Sequence, residues 1–483
     1  MNPLQSIAGA VIVLPLLASA LLFTVRRTEV SAWINIAVSA VVLGLACLLP
    51  WHLHVSTYLL VDRLSVHVVL LTAFIGLCSA WVSRDYIAVE RDAERLDRRR
   101  AQQYFALFQA LLGFVLFAVL SNNLGVTWVA MEAATIAGVL VVGLPRTEAA
   151  VEASWKYFMI CGVGIALALF GTIVLYLAAQ TVLGAGLPAM SWSELPAVAA
   201  KLHAPLLNLA FVFLVIGYGT KAGLAPLHAW MPDAHAEGPT PVSAVLASSI
   251  LNVALTILLR LRDVVGRNAG AISPGSVLML FGLLSLLMAG FSLWRRRDVK
   301  RFFSFSTIEQ NGIVAFAFGL GGPVGTFAGL LHMTVHTLCK AAVFQCVGRA
   351  TQLKGSQKFA DMSGLIAGSR MLGLTLAAAI VAVAGMPPFG LFTSEFMMLA
   401  ETAKRLPYAL IPLGIGLLVG VWALLWRLIT LCMGEPTPNP GPMPHWSALV
   451  PAWAQLAIAA VLGLAMPGAV YAWFAAIAAG VVS

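Results

Sequence analysis

Residues 212–252, VFLVIGYGTKAGLAPLHAWMPDAHAEGPTPVSAVLASSILN, decide how the chain is read. The stretch starts as an apolar helix and reaches a lysine, Lys221. It is then interrupted at Pro226, Pro232, Pro239 and Pro241 before turning apolar again. A charged side chain at the bilayer centre costs about 3 kcal/mol on insertion scales, so it is kept near water or a counter-charge. A second stretch, 328–348, AGLLHMTVHTLCKAAVFQCVG, repeats the theme with Lys340.

Composition supplies the frame. Of 483 residues, 60% are hydrophobic and only 10% are charged, with mean hydropathy +0.92. Soluble domains carry about 25% charged residues. The apolar runs are about 20 residues long, the length that spans hydrocarbon as a helix. The expected fold is therefore an all-α polytopic membrane protein with about fourteen spans. These fall near 6–25, 30–49, 61–83, 104–121, 124–143, 155–179, 205–224, 242–260, 273–294, 302–320, 324–347, 365–402, 408–432 and 448–480. The twelfth is broken at Gly385–Pro388 and the last contains Pro467 and Gly468.

The net charge of +9 does not imply nucleic acid, because the basic residues cluster between apolar runs and no aromatic-interleaved basic stripe occurs. They read instead as topology signals. With the N-terminus outside, most of them fall in inner loops, including Arg26 and Arg27, Arg95–Arg100, Arg295–Arg301 with Lys300, and Arg349, Lys354 and Lys358. The first span has no basic residues ahead of it and is expected to be retained. Six cysteines without a CxxC suggest neither disulfides nor an iron–sulfur cluster. The mixed-charge segment 84–105 reads as a surface helix or hairpin. It is a solvated loop or a docking site for a partner subunit. The proline-rich segment 434–446 reads as a connection without chemistry of its own.

Several spans hold groups that lipid would not tolerate: Glu132, Lys221, Asn252, Glu309, the trio His332, His336 and Lys340, and Glu395. His228, inside the first break, joins them as a proton-pathway candidate. The trio is spaced i, i+4, i+8, so it forms one stripe about 12 Å long on a helix. Two imidazoles that titrate near neutrality lead to a lysine, an arrangement suited to passing protons. HxxxH can also bind zinc, but no third ligand lies nearby and HExxH is absent, so no metal is expected. Taken singly, Glu132 could be a structural hydrogen-bond partner and His336 a satisfied core histidine. Two broken spans five apart point to inverted repeats, spans 4–8 and 9–13. The expected divisions are 1–103, 104–262, 273–432 and 433–483.

KAGLAPLHAWMPDAHAEGPTPVSA (221–244), HMTVHTLCKAAVF (332–344) and GMPPFGLFTSEF (385–396) together resemble the antiporter-like subunits of respiratory complex I, Mrp-type cation/proton antiporters and membrane-bound hydrogenases. Within that group, residues 104–147 and 152–171 look most like the F subunit of hydrogenase-4. The resemblance implies a proton-translocating membrane subunit of a redox-driven complex, of a group 4 hydrogenase or formate hydrogenlyase type. It would have no cofactor or redox site of its own. Its partners would be other antiporter-like and channel-like membrane subunits, a peripheral hydrogenase or other redox arm, and the lipid of a bacterial inner membrane. Glu132 and Lys221 stand where the family has a glutamate–lysine pair, His332, His336 and Lys340 at its eleventh-span positions, and Glu395 at its proton exit. Asn252 replaces a bridging lysine or histidine, and Gln310 replaces a tenth-span histidine. Alternatives are a subunit of an Mrp-type sodium/proton antiporter, a complex I pumping subunit, a membrane subunit of an inorganic-carbon uptake system, or a scaffold whose polar groups only hold helices together.

Overall fold

The computed structural model describes residues 3–480. Several helices begin where the sequence places a short polar cap. Asp62, Asn123, Thr147, Asp97 and Asp298 each accept a hydrogen bond from a backbone N–H in the first turn. The helices before the first break are α1 (Pro3–Leu22), α2 (Thr28–Ala46), α3 (Arg63–Asp92), α4 (Arg98–Leu120), α5 (Leu124–Val142) and α6 (Glu148–Leu183). Two-residue strands β1 (His54–Val55) and β2 (Leu60–Val61) pair antiparallel ahead of α3. The short α7 (Leu195–Val198) precedes a broken span made of α8 (Ala204–Ala222) and α9 (Met231–Glu237). A span formed by α10 (Thr240–Val245), a π-helical turn at Leu246–Ile250 and α11 (Leu251–Gly266) follows.

The second half comprises α12 (Pro274–Leu293), α13 (Val299–Leu320), α14 (Gly322–Lys354) and the short α15 (Leu365–Gly368). Next come a broken span of α16 (Arg370–Val383) and α17 (Gly390–Arg405), then α18 (Leu410–Leu428), which ends in a π-helical turn at Ile429–Met433. The chain finishes with α19 (Val450–Leu464) and α20 (Gly468–Gly480), bent by 78° at the expected Pro467. Among the described residues ten helices are long and apolar enough to cross a membrane, or eleven if the bent last pair is one span. The shorter α1, the broken α16–α17 and α13 are further helices at positions where spans were expected. Polar residues at 304, 306, 307 and 309–311 make α13 less apolar than the others.

The two breaks share one punctuation. In each, a left-handed glycine lies three residues before a cis-proline: Gly223 (φ 69°) before Pro226 and Gly385 (φ 65°) before Pro388. A helix opened at membrane depth leaves backbone groups that must be satisfied inside the protein. At the first break they are. The Trp230 indole N–H donates to Thr220 O (2.9 Å), Asn311 Nδ2 donates to Ala222 O (2.9 Å), and the Ala225 N–H donates to Ser285 Oγ (2.8 Å). Two of these three partners, Ser285 and Asn311, lie on α12 and α13, so helices from the second half of the chain stabilise the break after α8.

Small residues let the helices approach closely, the usual solution where lipid offers no hydrophobic gain. Gly282 of α12 faces Gly312 of α13, and Gly275 faces Gly319 one heptad further along; a Cβ at any of these four positions would press on the facing backbone at 2.5–2.7 Å. Gly171 and Gly217 serve the α6–α8 contact in the same way. The centre is formed by α14 and the 240–266 span, whose apolar windows are 100% buried. These two carry Lys340 and Asn252.

One sequence reading sharpens and two change. Segment 84–105 is a helical hairpin built from the ends of the spans themselves: α3 runs on to Asp92 and α4 starts at Arg98, with an exposed turn in which Leu96 alone is buried. Lys300 is not a loop charge but a buried residue (3% exposed) on the first turn of α13. Arg349 and Lys354 lie on α14, buried as well. That helix has 33 residues, about 50 Å at 1.5 Å per residue, so its end projects beyond a core of about 30 Å. The proline-rich segment caps that end: the Gly441 N–H donates to Leu353 O, and Lys354 Nζ donates to Thr437 O.

Candidate functional site

The polar groups meet along the middle of the bundle. Lys221, at the end of α8 with no exposure, forms an ion pair with Glu132 of α5 (3.4 Å) and donates to Thr135 Oγ1 one turn on (2.6 Å). Glu132 and Thr135 are three apart on α5, so one face offers the ammonium a charge and a hydroxyl. The Glu132 side chain is 20% exposed and lies at the flank of the bundle rather than wholly inside it.

Asn252 Nδ2 donates to Thr337 Oγ1 (2.7 Å), joining α11 to α14. Lys340 follows three residues after Thr337. Its ammonium donates to Ser306 Oγ (2.9 Å) and Phe303 O (3.2 Å) of α13 and lies 5.7 Å from the centre of the Phe303 ring. Among the described residues no carboxylate comes within ion-pair distance of it. On the same stripe, the His332 and His336 rings stack at 6.5 Å, and His336 Nε2 has no partner. His332 is held at both nitrogens, by Gln310 Oε1 (2.8 Å) and by the Ser394 hydroxyl (3.0 Å). Ser394 adjoins Glu395, whose carboxyl packs against Gly385 at the second break. Gln310 thus ties His332 to α13.

Glu309 is 1% exposed, and its Oε2 has no hydrogen-bond partner. His228 stands apart from this chain of contacts. It is only half-buried, its Nδ1 has no partner, and its nearest ring neighbour is Phe305.

Three polar residues of this region were not singled out from sequence. His235, fully buried on α9, bonds Ser304 Oγ through Nδ1 (3.1 Å) and stands edge-on to Phe344, one turn from Lys340 on α14. Lys300 Nζ donates to Ala236 O (3.0 Å) and Gly238 O (3.3 Å), so it caps the C-terminal carbonyls of α9. His67 of α3 bonds Thr334 of α14 (2.8 Å). His67 had a readable signal, a lone histidine in an apolar run. Beside Lys300 a cavity of about 380 Å³ opens at the start of α10, lined among others by Glu90, Glu237, Pro239 and Gln352. Among the described residues no cluster of side chains suits a metal ion.

Residues 121–419 match the family described as NADH:quinone oxidoreductase/Mrp antiporter, transmembrane. A hydrogenase-4 component F homolog of Methylacidiphilum infernorum is 43% identical over 468 residues, covering 97% of this chain and 98% of that one. An NADH-quinone oxidoreductase subunit N of Desulforudis audaxviator is 27% identical, covering 72% of this chain and 69% of that one. The fold is shared with a chain of an archaeal membrane-bound sulfane sulfur reductase (TM-score 0.86, 20% identity, 98% and 96% of the two chains). It is also shared with a chain of the Mrp complex from a Dietzia species (TM-score 0.84, 18% identity, 99% and 97%). A polytopic bundle with two matching breaks, a lysine at the first, and this family match over most of its length leave one conclusion: the chain is a member of the NADH:quinone oxidoreductase/Mrp antiporter family of transmembrane subunits.

Proposed function

We propose that this chain is the proton-translocating, antiporter-like subunit of a redox-driven membrane complex of the hydrogenase-4 type. One observation carries the reading: two buried lysines, one paired with a carboxylate and one lodged on hydroxyl and carbonyl oxygens, with the Asn252–Thr337 hydrogen bond on the two most buried helices. The chain has no redox group to hold; energy reaches it through neighbouring membrane subunits. Protons enter from the inner side through the cavity beside α10, load Lys221 and Lys340, and leave by His332, Ser394 and Glu395. Residues 104–262 and 273–432 are the two functional repeats, and the N-terminus lies outside a bacterial inner membrane. The gap between Lys221 and Asn252 is bridged by water, which conducts protons where no side chain reaches.

The charge step is electrostatic. A carboxylate approaching or leaving an ammonium at this distance changes its energy by several kcal/mol, enough to load or unload it. The test is a complex purified through a tag on this chain and reconstituted with an internal pH dye. Reduced methyl viologen serves as electron donor. Lys340→Met leaves viologen oxidation by the detached peripheral arm intact and lowers proton uptake by about tenfold or more. Uptake at the wild-type rate overturns the reading. A complex that transports sodium but no protons replaces it with the cation-antiporter reading, toward which the Mrp-like fold points.

A further inference from the structure

Glu309 is left over by the route just described, and its setting is specific. It lies on α13, the second helix of the second repeat, as Glu132 lies on α5, the second helix of the first. In both helices an isoleucine follows four residues later, Ile136 and Ile313. α13 is also the helix on which Lys340 rests, through Phe303 O and Ser306 Oγ, and Glu309 follows Ser306 by three residues. Residues three apart on a helix are neighbours on its surface. Both Lys340 and Glu395 lie within electrostatic reach of the Glu309 carboxyl. On its other side α18 contributes Gly420; a Cβ there would overlap Glu309 Oε1, so the glycine makes the room in which the carboxyl sits. A buried carboxyl with a bare oxygen is expensive unless it changes partner or protonation during function.

We propose that Glu309 is the carboxylate of the second lysine. When the two side chains move from their present positions into contact, it takes a proton from Lys340 Nζ, leaving a neutral amine and a neutral carboxylic acid, and releases it toward Glu395. Lys340 is then recharged from the His336 side. The proposal rests on the proton-transport reading above and assigns it a step that the first repeat does not contain. Glu132 meets its lysine directly and is partly exposed, whereas Glu309 is 1% exposed and makes no ion pair. The two repeats also differ in where the lysine sits: Lys221 is on the fourth helix of its repeat and Lys340 on the third. Glu309 is thus a second carboxylate added to the same fold and not a copy of the first ion pair.

Besides Lys340, the ionisable groups facing this region are His332 and His336 on α14, His235 on α9 and Glu395 on α17. α12 presents glycines and Ser285, and α18 presents Gly420. The experiment uses the reconstituted complex with four variants. Glu309→Gln and Lys340→Met each lower proton uptake by about tenfold or more, and Glu309→Asp restores part of it with a shifted pH profile. Gly420→Ala, which keeps the carboxyl but displaces it, lowers uptake as well. Difference infrared spectra of the working complex show a protonated-carboxyl band that is absent in Glu309→Gln. Assembled Glu309→Gln pumping at the wild-type rate while Lys340→Met does not overturns this step alone. Wild-type pumping by Lys340→Met overturns the reading beneath it. Should Glu309→Gln fail to assemble, Gly420→Ala decides: wild-type uptake with an unmoved carboxyl band overturns the proposal.

Discussion

Removing the charge of Glu132 should disable Lys221 without disturbing its shape. Lys221 Nζ lies 3.4 Å from Glu132 Oε2, and Coulomb's law at an effective dielectric of about 20 puts the attraction near 5 kcal/mol. Glu132 is 20% exposed, so water screens part of this, and about half of it is a fair net value. Thr135 keeps its hydrogen bond to the ammonium and supplies about 1 kcal/mol at most. Glu132→Gln therefore withdraws about 2–3 kcal/mol of electrostatic support from the Lys221 site, worth a factor of about 30–150 in any equilibrium it governs at roughly 1.4 kcal/mol per tenfold. Proton uptake in reconstituted vesicles should fall by at least about tenfold, and Lys221→Met should lower it comparably. Because both substitutions remove one step, the double variant should be little worse than either single one. Losses that multiply in the double variant, at matched assembly, would mean that the pair does not act as a unit.

Other outcomes follow from the packing. Gly282→Val drives a side chain into Gly312 O and the Phe316 N–H and should cost about 1–3 kcal/mol, seen as a lower unfolding temperature in detergent; unchanged stability would contradict the tight α12–α13 contact. Gln310→Leu leaves His332 Nε2 without its acceptor and should slow proton uptake, whereas Gln310→His should retain it; the reverse order would remove Gln310 from the path. At the start of α3, burial pushes the Asp62 carboxyl up. Arg260 and the Ser65 N–H and hydroxyl outweigh that and hold it below its ordinary value of 3.8. The stability from this contact is then complete above 3.8 and lost as pH falls further through the lowered value. Arg260→Met should lose stability at neutral pH and show less additional loss on acidification; a parallel acid profile would exclude the pair as its source.

Much of this was legible because hydrocarbon is a severe filter. A lysine or glutamate inside an apolar run is conspicuous, and Lys221, Lys340, Glu132, Glu309 and Glu395 were all visible that way. The prolines that break two spans were equally plain. Lys300 was not legible, because it follows three arginines and has the company of a loop charge. Only the fold places its ammonium on the carbonyls of α9, 64 and 62 residues back in sequence. His235 lay inside the decisive stretch, yet nothing local separates a histidine facing Ser304 from one facing solvent. The mixed-charge segment hid the helix limits for a different reason. Charged residues are good helix formers, so α3 and α4 continue past the apolar limits by which spans are counted.

The arrangement of α9 suggests why the first break is built as it is. This seven-residue half-helix is fixed at its start by the stack of Tyr157 on Trp230 (4.4 Å, 10° between planes) and at its end by Lys300. Along its outer face Asp233 reaches Lys156 of α6 (3.0 Å) and Arg301 of α13 (3.2 Å), and Glu237 reaches Arg301 again (3.3 Å). These outer pairs are partly exposed and individually worth under about 1 kcal/mol, so they hold α9 less firmly than its two ends do. Its inner face presents His235 to Ser304, two residues from the Ser306 that holds Lys340. The Trp230 indole, at the start of α9, is bonded to Thr220 O beside Lys221, so we propose that a shift of α8 altering the Glu132–Lys221 distance is passed through α9 to the helix that seats the second lysine. Coupling needs an element whose position both sites bias. Lys156→Met with Arg301→Met frees the outer face alone. If α9 transmits, the double variant should keep both lysine sites and assembly but lose pumping per electron transferred. A preserved proton-to-electron ratio would show that the two lysines communicate by another route.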